Sequence, residues 1–269
     1  MDTLEQLAAG YSGQVGFFAK DVTSGASIGL APDTLLPTAS CIKVMILMEL
    51  VRREDISLDQ RVPLRPEDQV GGSGVLKDLT PGIELPLHDV AMLMIVLSDN
   101  TATNMLIDLL GLDAINRTIA GMGLTATRLH RPVNFTAIGN DIRGFAESTP
   151  REFATSLELI ATGRWVSEGA CATILDMMGR QLYTDLLPRY LTFLPYARAQ
   201  GRTDILRIAN KTGFSGGVRG DTAIFFYPHT TVVAAAFAEK SADRTMAAEA
   251  EPARLLGRIG QVIDERFRP

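Results

Sequence analysis

Histidine, cysteine and tryptophan are scarce in this chain, and each scarcity narrows its chemistry. Its 269 residues include three histidines (His88, His130 and His229), two cysteines (Cys41 and Cys171) and one tryptophan. None of the histidines or cysteines stands at metal-ligand spacing, so no metal and no other cofactor is expected. Two cysteines allow one disulfide at most, and Cys41, inside an apolar run, reads better as a small core filler. No serine lies in a nucleophile elbow, although three histidines leave a Ser-His-Asp triad open. There is no long basic block and the formal net charge is −5, which argues against nucleic acid as a partner. No apolar run is long enough to span a bilayer. The start, Met1-Asp2-Thr3-Leu4-Glu5, lacks the basic and apolar regions of a signal peptide. Two locations stay open: the cytoplasm, or a secreted or periplasmic site reached by a protein whose leader has been trimmed.

What is present is a large apolar fraction, 46% of the residues, enough for one catalytic unit or two closely packed subdomains. The chain is organised around Pro37-Thr38-Ala39-Ser40-Cys41-Ile42-Lys43-Val44-Met45-Ile46-Leu47-Met48. Ser40 stands where a helix should begin. Lys43 follows three residues later and projects from the same face. The run is apolar on every side, so the helix is expected to be buried. Burying an ammonium ion is costly and lowers its pKa, and a lysine ready to lose its proton can activate a neighbouring hydroxyl. The plainer alternative is an N-cap serine followed by a lysine whose charged end reaches water.

The rest of the chain gives that pair a setting. Asp2 or Thr3 is expected to cap a short helix ending at Gly10. Residues 14–21 and 26–30 alternate as two strands of a hairpin. Helices then dominate: Leu85 to Leu97, with Pro86 in its first turn; Thr101 to Gly111; one capped by Asp113; one opened by the capping box Thr149-Pro150-Arg151-Glu152; and one from Ser167 to Gly179. Strands return at Leu206 to Lys211, Thr222 to Tyr227 and Thr231 to Ala238. A final helix, Ala253 to Phe267, carries an apolar stripe, with Gly257 and Gly260 letting it lie close to the sheet. Two N-terminal strands are marginal alone, so both ends must build one sheet. The expected fold is an α/β sandwich subdomain (1–63 and 190–269), an antiparallel sheet flanked by helices, with an inserted all-helical subdomain (64–189). A cleft between the two is the expected ligand site.

Three short motifs fall at the joints of this architecture: Ser40-x-x-Lys43, Ser98-Asp99-Asn100 and Lys211-Thr212-Gly213. In this order they resemble the signatures of the class A serine β-lactamases and penicillin-binding proteins. The strand, helical insertion, strand order is similar to that family's as well. The resemblance implies that Ser40 is a nucleophile forming an acyl-enzyme and Lys43 its base. Ser98 would relay a proton, and Asn100 would bond the substrate amide or Lys43. The N–H groups of Ser40 and Phe214 would form an oxyanion hole. Lys211, catalytic as a partner in the Ser98 relay, would with Thr212 receive a substrate carboxylate, Arg219 would be an additional carboxylate-binding arginine, and Gly213 would belong to the substrate-binding set. The implied partner is a small molecule: a β-lactam, peptide or ester bearing a carboxylate.

One stretch departs from the family pattern. Class A β-lactamases carry Glu-x-x-x-Asn in a loop ahead of the Thr-Pro helix, and the glutamate positions the deacylating water. With Arg131 and Pro150 in register, the glutamate's place holds Val133 and the asparagine's holds Ala137. Asp141 and Glu147 are the loop's carboxylates, and neither has the spacing. Three readings follow: a slow β-lactamase, a D-Ala-D-Ala peptidase or esterase, or a penicillin-binding sensor that acylates without turnover. A non-catalytic protein on the same scaffold is a further alternative.

Overall fold

The computed structural model describes residues 4–193, 200–202 and 204–268, so the expected caps at Asp2 and Thr3 lie outside the described residues. The chain runs through α1 (Leu4–Ala9), β1 (Gln14–Asp21), β2 (Ser27–Leu30), β3 (Leu36–Pro37), a 3-10 turn (Ala39–Ile42), α2 (Lys43–Arg52) and β4 (Arg61–Pro63). Next come β5 (Glu84–Pro86), α3 (Leu87–Val96), α4 (Asn100–Leu110), α5 (Leu112–Gly121), β6 (Arg128–Leu129), α6 (Phe135–Ile138), β7 (Ala146–Ser148), α7 (Pro150–Ala161) and α8 (Glu168–Met178). It closes with β8 (Arg207–Ser215), β9 (Val218–Phe226), β10 (Thr231–Glu239) and α9 (Glu251–Phe267).

The main sheet has the order β2-β1-β10-β9-β8 and is antiparallel throughout, so the two chain ends do build one sheet. Successive side chains of a strand point to opposite faces. On one face Phe18, Val233, Ala235 and Phe237 join the core shared with α2, α3, α4 and α7. On the other, Phe17, Ala234, Ala236 and Phe225 pack with Leu256, Ile259 and Ile263 of α9. Both faces are covered, which is why β10 is buried from Val232 to Glu239. Helix α7 lies on the inner face, through an edge-on contact of Phe153 with Phe237 at 5.6 Å and an ion pair of Glu158 with Lys20 at 2.7 Å. Helix α2 is the pivot between sheet and helices: every residue from Lys43 to Leu50 is buried.

Several local features differ from expectation. The capping box forms only by half. Thr149 accepts from the Glu152 N–H, but the Glu152 carboxylate turns to the N–H groups of Thr125, Ala126 and Thr127. Helix α5 is preceded by Gly111, with Asp113 inside its first turn and not at the cap. Gly260 does permit a close approach, but to a loop: a Cβ there would sit 1.9 Å from the Leu187 carbonyl oxygen. The inserted stretch also contains the short strands β5, β6 and β7, whose two or three residues are too few to show alternation. Both cysteines are free and buried. Among the described residues no helix is long and apolar enough to cross a membrane, and no cluster of His, Cys, Asp and Glu could hold a metal ion.

Candidate active site

Ser40 lies in the 3-10 turn that feeds α2, directly after Ala39, whose φ of +44° is unusual for a residue with a side chain. The turn is pressed against the edge strand β8. A Cβ on Gly213 would stand 2.8 Å from the Ser40 nitrogen and 2.6 Å from the Thr38 carbonyl oxygen, so only glycine allows this approach. Across the ladder, Gly213 pairs with Gly220, where a Cβ would press on Phe237 and the Cys41 sulfur. Lys211-Thr212-Gly213 is therefore not the end of a strand. It sits inside β8, which runs on to Ser215, and its glycine is needed for contact with the Ser40 turn.

Lys43 is fully buried, and its Nζ lies 2.8 Å from the Ser98 carbonyl oxygen, 2.9 Å from Asn100 Oδ1 and 3.2 Å from Ser98 Oγ. The Asn100 amide is oriented by its other end, which donates to the Gly71 carbonyl at 3.1 Å. The two closer partners of Lys43 can only accept, whereas the hydroxyl can also donate. A charged ammonium can donate to all three oxygens, whereas an uncharged amine keeps two donors for the carbonyl oxygens and frees its lone pair to accept a proton. Burial, and then the charge of Lys211, hold the Lys43 pKa well below that of an ordinary lysine, which favours the uncharged form.

The Ser98-Asp99-Asn100 turn is held by its own chemistry. Ser98 has φ +55°, a left-handed conformation that costs about 1–3 kcal/mol and needs support. Asp99 supplies it. One carboxylate oxygen caps α4 by accepting from Ala102, and the other accepts from Val75 and Leu76. Gly74 packs so closely that a Cβ there would lie 2.2 Å from the Asp99 carboxyl carbon. The Asn100 N–H donates to the Ser73 carbonyl, so residues 71–76 and this turn form one unit.

A cleft of about 500 Å³ opens over Ser40. Ser40, Ser73, Asn100, Phe214 and Ser215 line it, and so do Val133, Phe135, Ile138, Ile142 and Phe145. Both backbone polar groups of Val133 are clamped by the side chain of Asn104, at 2.8 and 2.9 Å. Ala137 is exposed and does not line the cleft. Asp141 caps a short turn, and Glu147 bonds His130 and Arg143. No Asp, Glu, Lys or Arg is among the described residues that line the cleft. The apolar wall was not anticipated from sequence, because its residues follow neither helical nor strand periodicity.

The remaining expected residues are near, with their groups largely engaged. The fully buried Lys211 donates to the Thr212 carbonyl oxygen at 2.8 Å, and burial pushes its pKa down to about 8. The Thr212 hydroxyl is buried and has no hydrogen-bond partner. Arg219, on β9, is not at the cleft: its guanidinium donates to the carbonyls of Ser215, Val218 and Thr245. It braces the β8–β9 turn against the loop carrying Met246, and its charge is not presented to a ligand there. One buried group escaped the sequence reading. Asp221, paired with Thr212 across the ladder, accepts from the Leu187 N–H and from Asn210, and burial pushes its carboxyl up to about 7.

Comparison with known proteins shows which family the chain is similar to. The β-lactamase enzyme family matches residues 1–267. Beta-lactamase L2 of Stenotrophomonas maltophilia is 28% identical over 219 residues, covering 80% of this chain and 69% of that protein. The crystal structure of a β-lactamase from Sphaerobacter thermophilus superposes with a TM-score of 0.85 at 30% identity, over 97% of this chain and 94% of that one. PBP-A is similar at 29% identity, with a TM-score of 0.81 over 97% of this chain and 94% of its own. A leucine-to-glutamate mutant of PBP-A, solved as its acyl-enzyme complex with penicillin G, is equally similar. With a match along nearly its whole length and a fold of this likeness, the chain belongs to the β-lactamase enzyme family.

Proposed function

We propose that this chain is a serine hydrolase that takes the acyl group of a β-lactam, or of a related amide or ester, onto Ser40 and releases it slowly. The observation that carries the reading is the fully buried Lys43 amine, gathered with Ser98 and Asn100 and three residues along the chain from the serine. The Ser40 oxygen attacks the acyl carbon while Lys43 takes its proton. The C–N or C–O bond then breaks, and the proton reaches the leaving atom through the Ser98 hydroxyl. The Ser40 N–H, at the start of the buried helical segment, and the N–H of Phe214 serve the developing oxyanion. Lys211 and the unpartnered Thr212 hydroxyl suit a substrate carboxylate; Arg219 acts by holding the loop. Slow release is supported by Val133, which offers no base where a deacylating water would need one.

Intact-mass measurement after incubation with penicillin G tests this directly. The expected result is one adduct per chain, absent from Ser40→Ala. A chain left unmodified by any β-lactam or activated ester refutes the proposal. An adduct that persists favours the penicillin-binding reading over a fast lactamase.

A further inference from the structure

The cleft over Ser40 is built for more than a reactive carbonyl. Val133, Ile138 and Phe145 are buried along one side, at 5%, 8% and 3% exposure. Phe135, on α6, stays 50% exposed at the mouth. A Cβ on Gly72 would lie 3.0 Å from the Phe135 ring and 2.6 Å from the Asn100 amide nitrogen. The ring therefore reaches from its own loop toward the opposite one, close to Asn100. Met246 is 58% exposed and also lines the cleft. These two large apolar side chains extend the apolar wall of the concave site to its mouth.

No charged residue stands among the described lining residues, so an ionised tail laid against this wall would lose water and gain no counter-ion. From this, and resting on the reading of Ser40 given above, we infer that the site selects substrates whose acyl group is large and apolar. Aryl-acetyl and medium-chain alkanoyl esters or amides fit this description, with the acyl tail lying on the 133–145 wall between Phe135 and Met246. The same tail would keep water from the ester carbon, which joins the choice of substrate to slow release.

A homologous series of p-nitrophenyl esters, acetate to octanoate, measures the selection through the single-turnover acylation rate. Ser40→Ala supplies the blank, and mass spectrometry locates the acyl group. Each methylene moved from water onto the wall should raise the second-order rate constant about threefold to fourfold. Acetate and hexanoate differ by four methylenes and should be separated by about 10²-fold, with a plateau once the tail outgrows the cleft. In Phe135→Ser and in Met246→Ser the hexanoate-to-acetate ratio should fall by about tenfold. Both side chains are largely exposed, so neither change threatens the fold. A rate that is flat or falling along the series, with Ser40 still acylated, overturns the inference and leaves the proposed function standing. So does a ratio unchanged in both variants. Failure of every ester and of penicillin to modify Ser40 removes the proposed function, and the inference with it.

Discussion

Replacing Val133 by glutamate should shorten the life of the acyl-enzyme. Val133 lines the cleft, and the Asn104 side chain grips its backbone on both sides, so a longer side chain there has little backbone freedom to swing away. The new carboxylate enters an apolar wall at a position only 5% exposed. Burial without a counter-ion raises its pKa, bringing it nearer to that of an effective base at neutral pH, and destabilises the fold by a few kcal/mol. A positioned general base contributes about 10²- to 10⁴-fold. This one lacks an orienting partner, because Ala137 is exposed and cannot hydrogen-bond it, so the lower end, about 10², is expected. The assay follows penicillin adduct decay by intact mass in Val133→Glu, with Val133→Gln as the control of equal length. The glutamine variant should decay like the parent. Equal lifetimes in parent and Val133→Glu, with acylation preserved, would refute the reasoning. A glutamine variant as fast as the glutamate one would assign the gain to water entry.

Other outcomes follow from buried groups and close contacts. If protonated Lys211, with its pKa near 8, receives the substrate carboxylate, acylation by penicillin should decline above about pH 8. Acylation by an uncharged ester should show no such decline, and identical alkaline limbs would remove Lys211 from carboxylate binding. Asp221 has its folded-state pKa raised from 3.8 to about 7, so the folded chain holds this proton more tightly than the unfolded one. Its contribution to stability is present in full below about pH 4 and is lost as pH rises through about 7, at most ~4 kcal/mol in all. Denaturant midpoints for Asp221→Asn should therefore be flatter over that window than those of the parent. Gly260→Ala drives a methyl group into the Leu187 carbonyl and should cost about 1–3 kcal/mol, read as a lowered midpoint with activity retained at low temperature.

Residues 14–21 were readable as a strand because apolar and small residues alternate there. The helix from Pro150 was readable because threonine followed by proline is a strong start signal. Ser40, Lys43, Ser98 and Asn100 were readable as candidates because their motifs fall at element boundaries, and the structure gathers Lys43, Ser98 and Asn100 within hydrogen-bond distance. Gly213 misled: the strand was expected to end near it, yet it lies inside β8, where packing against the Ser40 turn leaves no room for a side chain. Arg219 could not be judged from sequence, because its partners are backbone carbonyls that leave no mark in the residue pattern. Asp221 and the 133–145 wall escaped for a similar reason: their roles depend on burial and long-range packing, not on local periodicity.

The state of the Lys43 amine matters most, and the pH dependence of Ser40 acylation by p-nitrophenyl acetate reports it. The single-turnover rate should rise through one ionisation well below that of an ordinary lysine and be level well before about pH 10. A rate that keeps climbing to about pH 10.5 would show an ordinary charged lysine and contradict the proposal that an uncharged Lys43 serves Ser40 as its base.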